Sequence, residues 1–361
     1  MAYTTINKPT DHFNTLAYSG TGSTNAVTGV GFQPDWVWIK QRTGSTPNKI
    51  FDSVRGAGKS IKSNSTDGEA TNEENGYVSA FGSDGFTLTA GSTSSNDVNA
   101  SSGSKYVAWN WKAGTTGSGT TTGSGTGKAY SYSVNTTAGF SITKYVGNGT
   151  AGHTIPHNLG ATPSMIIVKN LTDSSSSFWG VYHKNAFASQ SDPNVVYLNS
   201  NAAESDDTNV WGNSSVTINS TVFSLGDYNG SNGNGDNFIS YVFSEKVGYS
   251  KFGTFTGNED ANGPFIYTGF KPAFIMIKGV TDTRNWNILD NKRLGYNVDN
   301  DRQYPNLAGS DSNADAVDIT STGFKMRGTQ TDTNKNQVEY VFMAIAEAPL
   351  VGTNNVPCTA R

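Results

Sequence analysis

One short phrase is written three times along this chain of 361 residues. It reads Gly31-Phe32-Gln33-Pro34-Asp35-Trp36-Val37-Trp38-Ile39-Lys40, then Asn158-Leu159-Gly160-Ala161-Thr162-Pro163-Ser164-Met165-Ile166-Ile167-Val168-Lys169, then Gly269-Phe270-Lys271-Pro272-Ala273-Phe274-Ile275-Met276-Ile277-Lys278. Each copy is a turn, a proline, an apolar run and a lysine at a fixed distance beyond the proline. Other landmarks recur at nearly constant distances. An aromatic residue leads into a Gly-rich turn before each proline: Tyr18 with Gly20 and Gly22, Tyr145 with Gly147 and Gly149, Phe255 with Gly257. A strand-like phrase follows each: Gly85-Phe86-Thr87-Leu88, Val222-Phe223-Ser224-Leu225, Gly323-Phe324-Lys325-Met326. Each copy closes on an aromatic or β-branched run, at Tyr106–Trp111, Phe238–Phe243 and Tyr340–Ile345. Small drifts in spacing belong in loops, where insertions cost little.

A unit of about 110 residues is too long for a solenoid repeat of roughly 20–50 and has the size of a domain with its own core. The apolar runs are rich in β-branched and aromatic residues and are bounded by turn residues, which predicts strands. The expected fold is all-β: three tandem homologous antiparallel β-sandwich domains with jelly-roll-like wiring, each an independent core joined end to end. They span residues 1–113, 129–248 and 249–349. The run 114–128, rich in Gly, Ser and Thr, reads as a flexible linker, and 350–361 as a polar tail. The terminal lysine of each phrase is expected to leave the core with its stem packed and its ammonium in water. Helix signals are confined to Asp11–Leu16 and Lys184–Ser189.

Composition narrows the function classes. Charged residues are 15%, against roughly a quarter in ordinary domains, and there are 41 glycines. The net charge is −4 and no Lys/Arg cluster occurs, which argues against phosphate-backbone binding to nucleic acid. No apolar run approaches the roughly 18 residues of a membrane span, and the polar N-terminus lacks a signal-peptide pattern. The single cysteine, Cys358, allows no intrachain disulfide.

The candidate chemistry is thin. Gly56-Ala57-Gly58-Lys59-Ser60 lacks the first glycine of a phosphate loop and has turn-like flanks, so a surface turn is expected. His153 and His157 have a zinc-like spacing, but Pro156 forbids a helix and no third ligand lies near. Asp227–Asp236 is rich in oxygen side chains yet has Phe238 where a calcium loop needs its last acid; Asp299-Asn300-Asp301 invites the same caution. No Asp, Glu, His or Ser sits alike in all three copies, so no catalytic, cofactor or metal residues are assigned and the chain is read as a non-enzyme. Of the seven tryptophans, Trp36 and Trp38 share one face of a strand, as do Trp109 and Trp111, and read as core. Trp211 and Trp286 lie in polar surroundings and are the candidates for surface contact.

The opening Met1–Asn14, the phrase Gly31–Lys40, Phe51-Asp52-Ser53-Val54-Arg55-Gly56 and Tyr106–Lys112 resemble a family of uncharacterised structural or tail-fibre-like proteins of marine tailed bacteriophages. The resemblance implies a virion component assembled in the host cytoplasm: an exterior tail or head appendage contacting the host surface. Its expected partners are other copies of itself, other virion proteins and a host surface glycan or protein. The rivals are a decoration or adaptor protein without a receptor role, a lectin-like secreted adhesin, and a polysaccharide depolymerase.

Overall fold

The computed structural model describes residues 4–93, 96–101, 103–172, 178–186, 193–212, 216–293, 297, 300–313 and 315–351. The fold is all-β and antiparallel. One wiring recurs in the first, second and third segments. In each, the first strand (in the second segment the one after the outer strand Ala129–Asn135) pairs with the last, the last with the strand of the repeated phrase, and that strand with its successor. In the first segment these are Phe13–Ser19, Lys105–Trp111, Trp36–Gln41 and Lys49–Asp52. In the second they are Phe140–Val146, Asn237–Phe243, Met165–Asn170 and Gly180–His183. In the third they are Ser250–Thr256, Glu339–Pro349, Phe270–Gly279 and Asn287–Asp290. A smaller sheet in each pairs the second strand with the next-to-last: Asn25–Thr28 with Gly85–Thr89, His153–Pro156 with Val222–Leu225, Phe265–Tyr267 with Gly323–Met326. This is the nested pairing of a rolled-up ribbon. Pro34 and Pro163 stand just before their strands, whereas Pro272 lies inside one, at a register shift that spares the ladder a missing donor.

The cores depart from the expectation of independent modules. Successive side chains of a strand point to opposite faces of its sheet, and each phrase strand is buried on both. One face closes a private core against the small sheet, as Val37, Ile39, Tyr106 and Ala108 do with Val27, Phe86 and Leu88. The other face enters one cluster shared by all three segments, containing Trp36, Trp38, Trp109 and Trp111 with Phe140, Ile167, Tyr241, Phe243, Phe274, Met276 and Met343. Trp36 lies 4.3 Å from Trp111 and 4.5 Å from Tyr241, ring centre to ring centre, and Phe13 lies 5.5 Å from Phe274. The segments are therefore not joined end to end; their large sheets meet around a common aromatic centre.

Three equivalent seams close the ring. Glu69 N–H donates to Leu171 O, Glu204 N–H to Val280 O and Asp311 N–H to Arg42 O, each at 2.8 Å. These acceptors stand two residues beyond Lys169, Lys278 and Lys40. The residue just before the fourth sheet strand also reaches across each seam. Trp179 Nε1 donates to Lys62 O and Ser65 O, Trp286 Nε1 to Tyr197 O, and Asn48 Nδ2 to Tyr304 O and Leu307 O. Second binds first, third binds second and first binds third. Nearer the centre, Tyr241 O–H donates to Asp52 Oδ2 at 2.7 Å, Trp109 Nε1 to Asp290 Oδ2 at 2.9 Å, and His183 Nε2 to Phe342 O at 3.1 Å. The last bond fixes the proton on Nε2, because Nδ1 accepts from Asn185 N–H.

The repeated lysines sit at these seams. Lys40, Lys169 and Lys278 are buried, not solvated as expected. Lys169 Nζ donates to Thr66 O of the first segment, Lys278 Nζ to Asn201 O of the second, and Lys40 Nζ to Gln41 O and Gly44 O. Burial pulls Lys278 down to about 7 and Lys40 to about 8, against partial compensation from Asp332 and Asp311 respectively.

A buried asparagine pins each Gly-rich turn. Asn99, Asn232 and Asn334 accept from the backbone N–H of Thr21, Asn148 and Asn258 through Oδ1. Through Nδ2 they donate to Ser23 O, Thr150 O and Asp260 O. The turn comes so close that a Cβ on Gly20, Gly147 or Gly257 would lie 2.1–2.3 Å from a backbone oxygen. Beside each pin a pair of rings stacks: Tyr18 on Tyr106, Tyr145 on Phe238, Phe255 on Tyr340.

Two further expectations are corrected. The run 114–128 is not a loose tether: Thr115–Thr120 pairs with Ala129–Asn135, and Thr122–Gly123 with His153–Pro156. Gly117 and Gly119 lie opposite Tyr132 and Tyr130, so the missing side chains make room for the rings. Asp11–Leu16 is the end of a 3-10 turn running into the strand Phe13–Ser19. In Lys184–Ser189 the described residues, 184–186, form a turn and the rest lie outside the described residues. Of the tail 350–361, all but residues 350 and 351 lie outside them as well.

Candidate functional site

Neither tryptophan expected at the surface is there. Trp211 is 1% exposed, in the private core of the second segment, with Tyr182 edge-on at 6.0 Å. Trp286 is 2% exposed and is the seam donor between third and second segments. Trp211 ends the helical turn Thr208–Trp211, and the polar neighbour of Trp286, Asn285, is hydrogen-bonded to Asp332 and Asn306.

The other singled-out residues are absorbed by the architecture. All four histidines are hydrogen-bonded within the fold. His153 Nδ1 donates to Asn232 Oδ1 at 2.8 Å while Nε2 accepts from Thr121 Oγ1 at 2.6 Å. His157 Nε2 donates to Asn219 O, and burial lowers its pKa to about 4, so it stays neutral. Gly56–Gly58 ends the turn between strands Lys49–Asp52 and Lys59–Lys62, and Lys59 and Ser60 open the second strand, so a strand and not a helix follows. In Asp227–Asp236 a helical turn, Asn229–Asn232, carries the pin Asn232, and Asp236 accepts from Asn170. Asn300 accepts from Val317 N–H and Asp301 pairs with Arg42; Asp299 lies outside the described residues. Among the described residues, no group of three His, Cys, Asp or Glu is placed to hold a metal ion, and no helix is long and apolar enough to cross a membrane.

Two buried ion pairs brace matching corners. Arg55 clasps Asp52 and donates to Ile50 O; Arg293 clasps Asp290 and donates to Ile288 O. Burial opposes the charge on Asp290, but Arg293 and its own backbone N–H hold the carboxyl below the usual range. These carboxylates also receive Tyr241 and Trp109 across the seams, so their lone pairs hold the ring together.

Among the described residues the exposed large apolar side chains are Phe178, Val247, Phe265, Tyr267 and Leu307, and two of them share one strand in the small sheet of the third segment. Phe265 and Tyr267 are 49% and 57% exposed, while Ile266 between them points into the private core. The strand register puts Ala26 and Thr28, and Thr154 and Pro156, at the matching places of the other segments. The face is thus aromatic in one segment only. Lys325 stands opposite Phe265 and donates to Asn262 Oδ1 at 2.7 Å; Gly323 opposite Tyr267 leaves its ring uncovered. Asp318 pairs with Arg327 on the adjoining strand. Two rings on one side of a strand, edged by amide and charged groups, make a shallow contact surface. The sequence carries the signal in Phe265-Ile266-Tyr267, an alternating triplet that lacks aromatic counterparts in the other copies.

No curated protein matches the chain. A family described as a domain of unknown function, DUF7483, matches residues 8–349, which takes in all three segments and every seam. The chain belongs to the DUF7483 family.

Proposed function

We propose that this chain is an exterior structural component of a tailed-phage particle, built as a rigid ring that presents a contact face to the host surface. The exposed Phe265–Tyr267 strand carries the reading. There the repeat breaks its own pattern outward with two rings on one strand, and exposed aromatic groups rimmed by polar ones mark interaction sites. The phage assignment itself rests on the resemblance of the opening segment and the repeated phrase. Shallow faces of this kind gain strength from copy number, which a particle supplies by symmetry. The edging of the rings by Asn262, Lys325 and Asp318 favours a glycan as the surface component, since stacking on a ring and hydrogen bonds at its rim are what a sugar needs.

The test is twofold. Peptides of this chain should be found in purified particles, and antibody-labelled micrographs should place it on the outside. The free protein should adsorb to host cells, and Phe265→Ala with Tyr267→Ala should abolish adsorption while leaving the melting temperature unchanged. Absence from particles would remove the virion reading. Undiminished adsorption by the double variant would move the contact elsewhere.

A further inference from the structure

We propose that Lys49 and Asp97 join through an intramolecular amide bond, with Glu73 relaying the protons. Lys49 Nζ lies 3.3 Å from Asp97 Oδ2, and Glu73 Oε2 touches the same Nζ. The Lys49 side chain is fully buried, Asp97 is 4% exposed and Glu73 15%. Asp97 Oδ2, though buried, accepts no well-aligned hydrogen bond. The carboxyl is held in place by its backbone: Asp97 N–H donates to Asn75 O, and Asn96 Oδ1 caps the next two N–H groups. Ser60 O–H and Lys49 both bind Glu73 Oε2, aiming that carboxylate at the amine.

The two acids are tuned apart. Burial raises the pKa of Asp97, outweighing the pull of Lys49. Burial also opposes charge on Glu73, but its bonds to Lys49 and Ser60 win and hold its pKa below the ordinary value. Asp97 is thus the acid on which protonation falls, as an electrophile needs, and Glu73, in contact with the amine, is placed to relay the proton. Glu73 takes a proton from the Lys49 ammonium and passes it to the Asp97 carboxylate. The neutral amine then attacks Asp97 Cγ, forming the N–C bond. The second nitrogen proton travels through Glu73 to the departing oxygen, the C–O bond breaks, and water leaves. Ammonium plus carboxylate becomes amide plus water, with no outside reagent. Holding the groups in contact supplies the effective concentration that the reaction lacks in solution.

The strand register and the asparagine pins put Gly180 and Asn287 where Lys49 stands, and Gly230 and Asp332 where Asp97 stands. The cross-link is therefore specific to the first segment. It would tie strand Lys49–Asp52 to the turn before the closing strand Lys105–Trp111, in a chain whose single cysteine permits no internal disulfide.

Denaturing mass spectrometry of the full chain tests it. The intact mass should fall short of the sequence mass by one water, and a digest should yield a branched peptide joined through Lys49 and Asp97. Lys49→Arg should restore the full mass. Asp97→Asn should lose ammonia in place of water, and Glu73→Gln should leave most molecules unjoined. A full-mass wild-type protein overturns the proposal. So does a water loss that maps to Asp67-Gly68 or Asp84-Gly85, where succinimide formation gives the same mass change without a branch. Both readouts on the wild-type chain stand whether or not a variant folds.

Discussion

Replacing Lys278 by Met should stabilise the protein, and should do so more at low pH than at high. Lys278 is buried at the seam between third and second segments, where Nζ donates to Asn201 O at 3.1 Å and Arg284 O at 2.6 Å. Burial lowers its pKa from 10.5 to about 7; Asp332 and Asp282 resist the shift and Arg284 assists it. The unfolded lysine keeps its proton up to its ordinary pKa, while the folded one gives it up near neutrality. Between those two values the unfolded state binds more protons, so the wild-type protein gains stability as pH rises through that window. Below it both states are charged, and the native state carries the full cost of a buried ammonium. At about 1.4 kcal/mol per pKa unit, that cost is at most about 4–5 kcal/mol below the window and about 2 at pH 9.

Methionine fills nearly the same volume and cannot ionise. It leaves two carbonyls without their donor, at about 1 kcal/mol each and independent of pH. The variant should therefore exceed wild type by about 2–3 kcal/mol at pH 6.5 and roughly match it at pH 9. Urea unfolding of both proteins at the two pH values reads this directly. Lys40, which burial brings to about 8, remains in both and cancels from the difference. A stability gap that is constant with pH, or that widens as pH rises, would refute the claim that the repeated lysine is an internal charge at the seam.

Residues 129–248 expressed alone should aggregate or remain molten, because Phe140, Ile142, Ile167, Tyr241 and Phe243 would lose their cover from the other segments; a cooperative monomeric melt would show that the shared centre is dispensable. Trp286→Phe should cost about 2–3 kcal/mol in urea unfolding, from lost volume plus a stranded Tyr197 carbonyl, and should leave the private core of the second segment unaffected by near-ultraviolet dichroism of Trp211. Asn232→Ala should cost 3 kcal/mol or more by the order of magnitude for several unmade buried hydrogen bonds, whereas a surface asparagine such as Asn262 replaced by Ala should stay within about 0.5 kcal/mol. Gly147→Ala, with Gly233 O at 2.3 Å from the new Cβ, should lower the melting temperature more than Gly309→Ala, where nothing stands within 4 Å.

The strands and their repeated order were legible because apolar runs bounded by turn residues encode local structure, and three copies of one phrase repeat that encoding. Ring closure was not, since nothing in a single copy says which neighbour its second face will meet. Yet a trace of it is present: Trp36-Val37-Trp38-Ile39 is apolar at every position, whereas a strand of a free-standing sandwich alternates. An unbroken run in an antiparallel fold demands a second buried surface, and here the other two segments supply it. The tryptophans misled for a related reason. Trp286 lies among Arg284, Asn285 and Asn287, but those polar groups hydrogen-bond to Asp332, Asn306 and backbone carbonyls, while the indole crosses the seam to Tyr197 O. Polarity along the sequence records what the loop backbone needs and says little about where one large ring points. The asparagine pins were hidden by the opposite effect: asparagine is so common in this chain's turns that three buried ones do not stand out until strand register shows them to be equivalent. In a tripled fold, then, positions kept alike across copies describe the scaffold, and the informative ones are those where a single copy departs. Phe265, Tyr267 and Lys49 are such departures, and the surface and the cross-link proposed for them are tested in different segments by independent measurements.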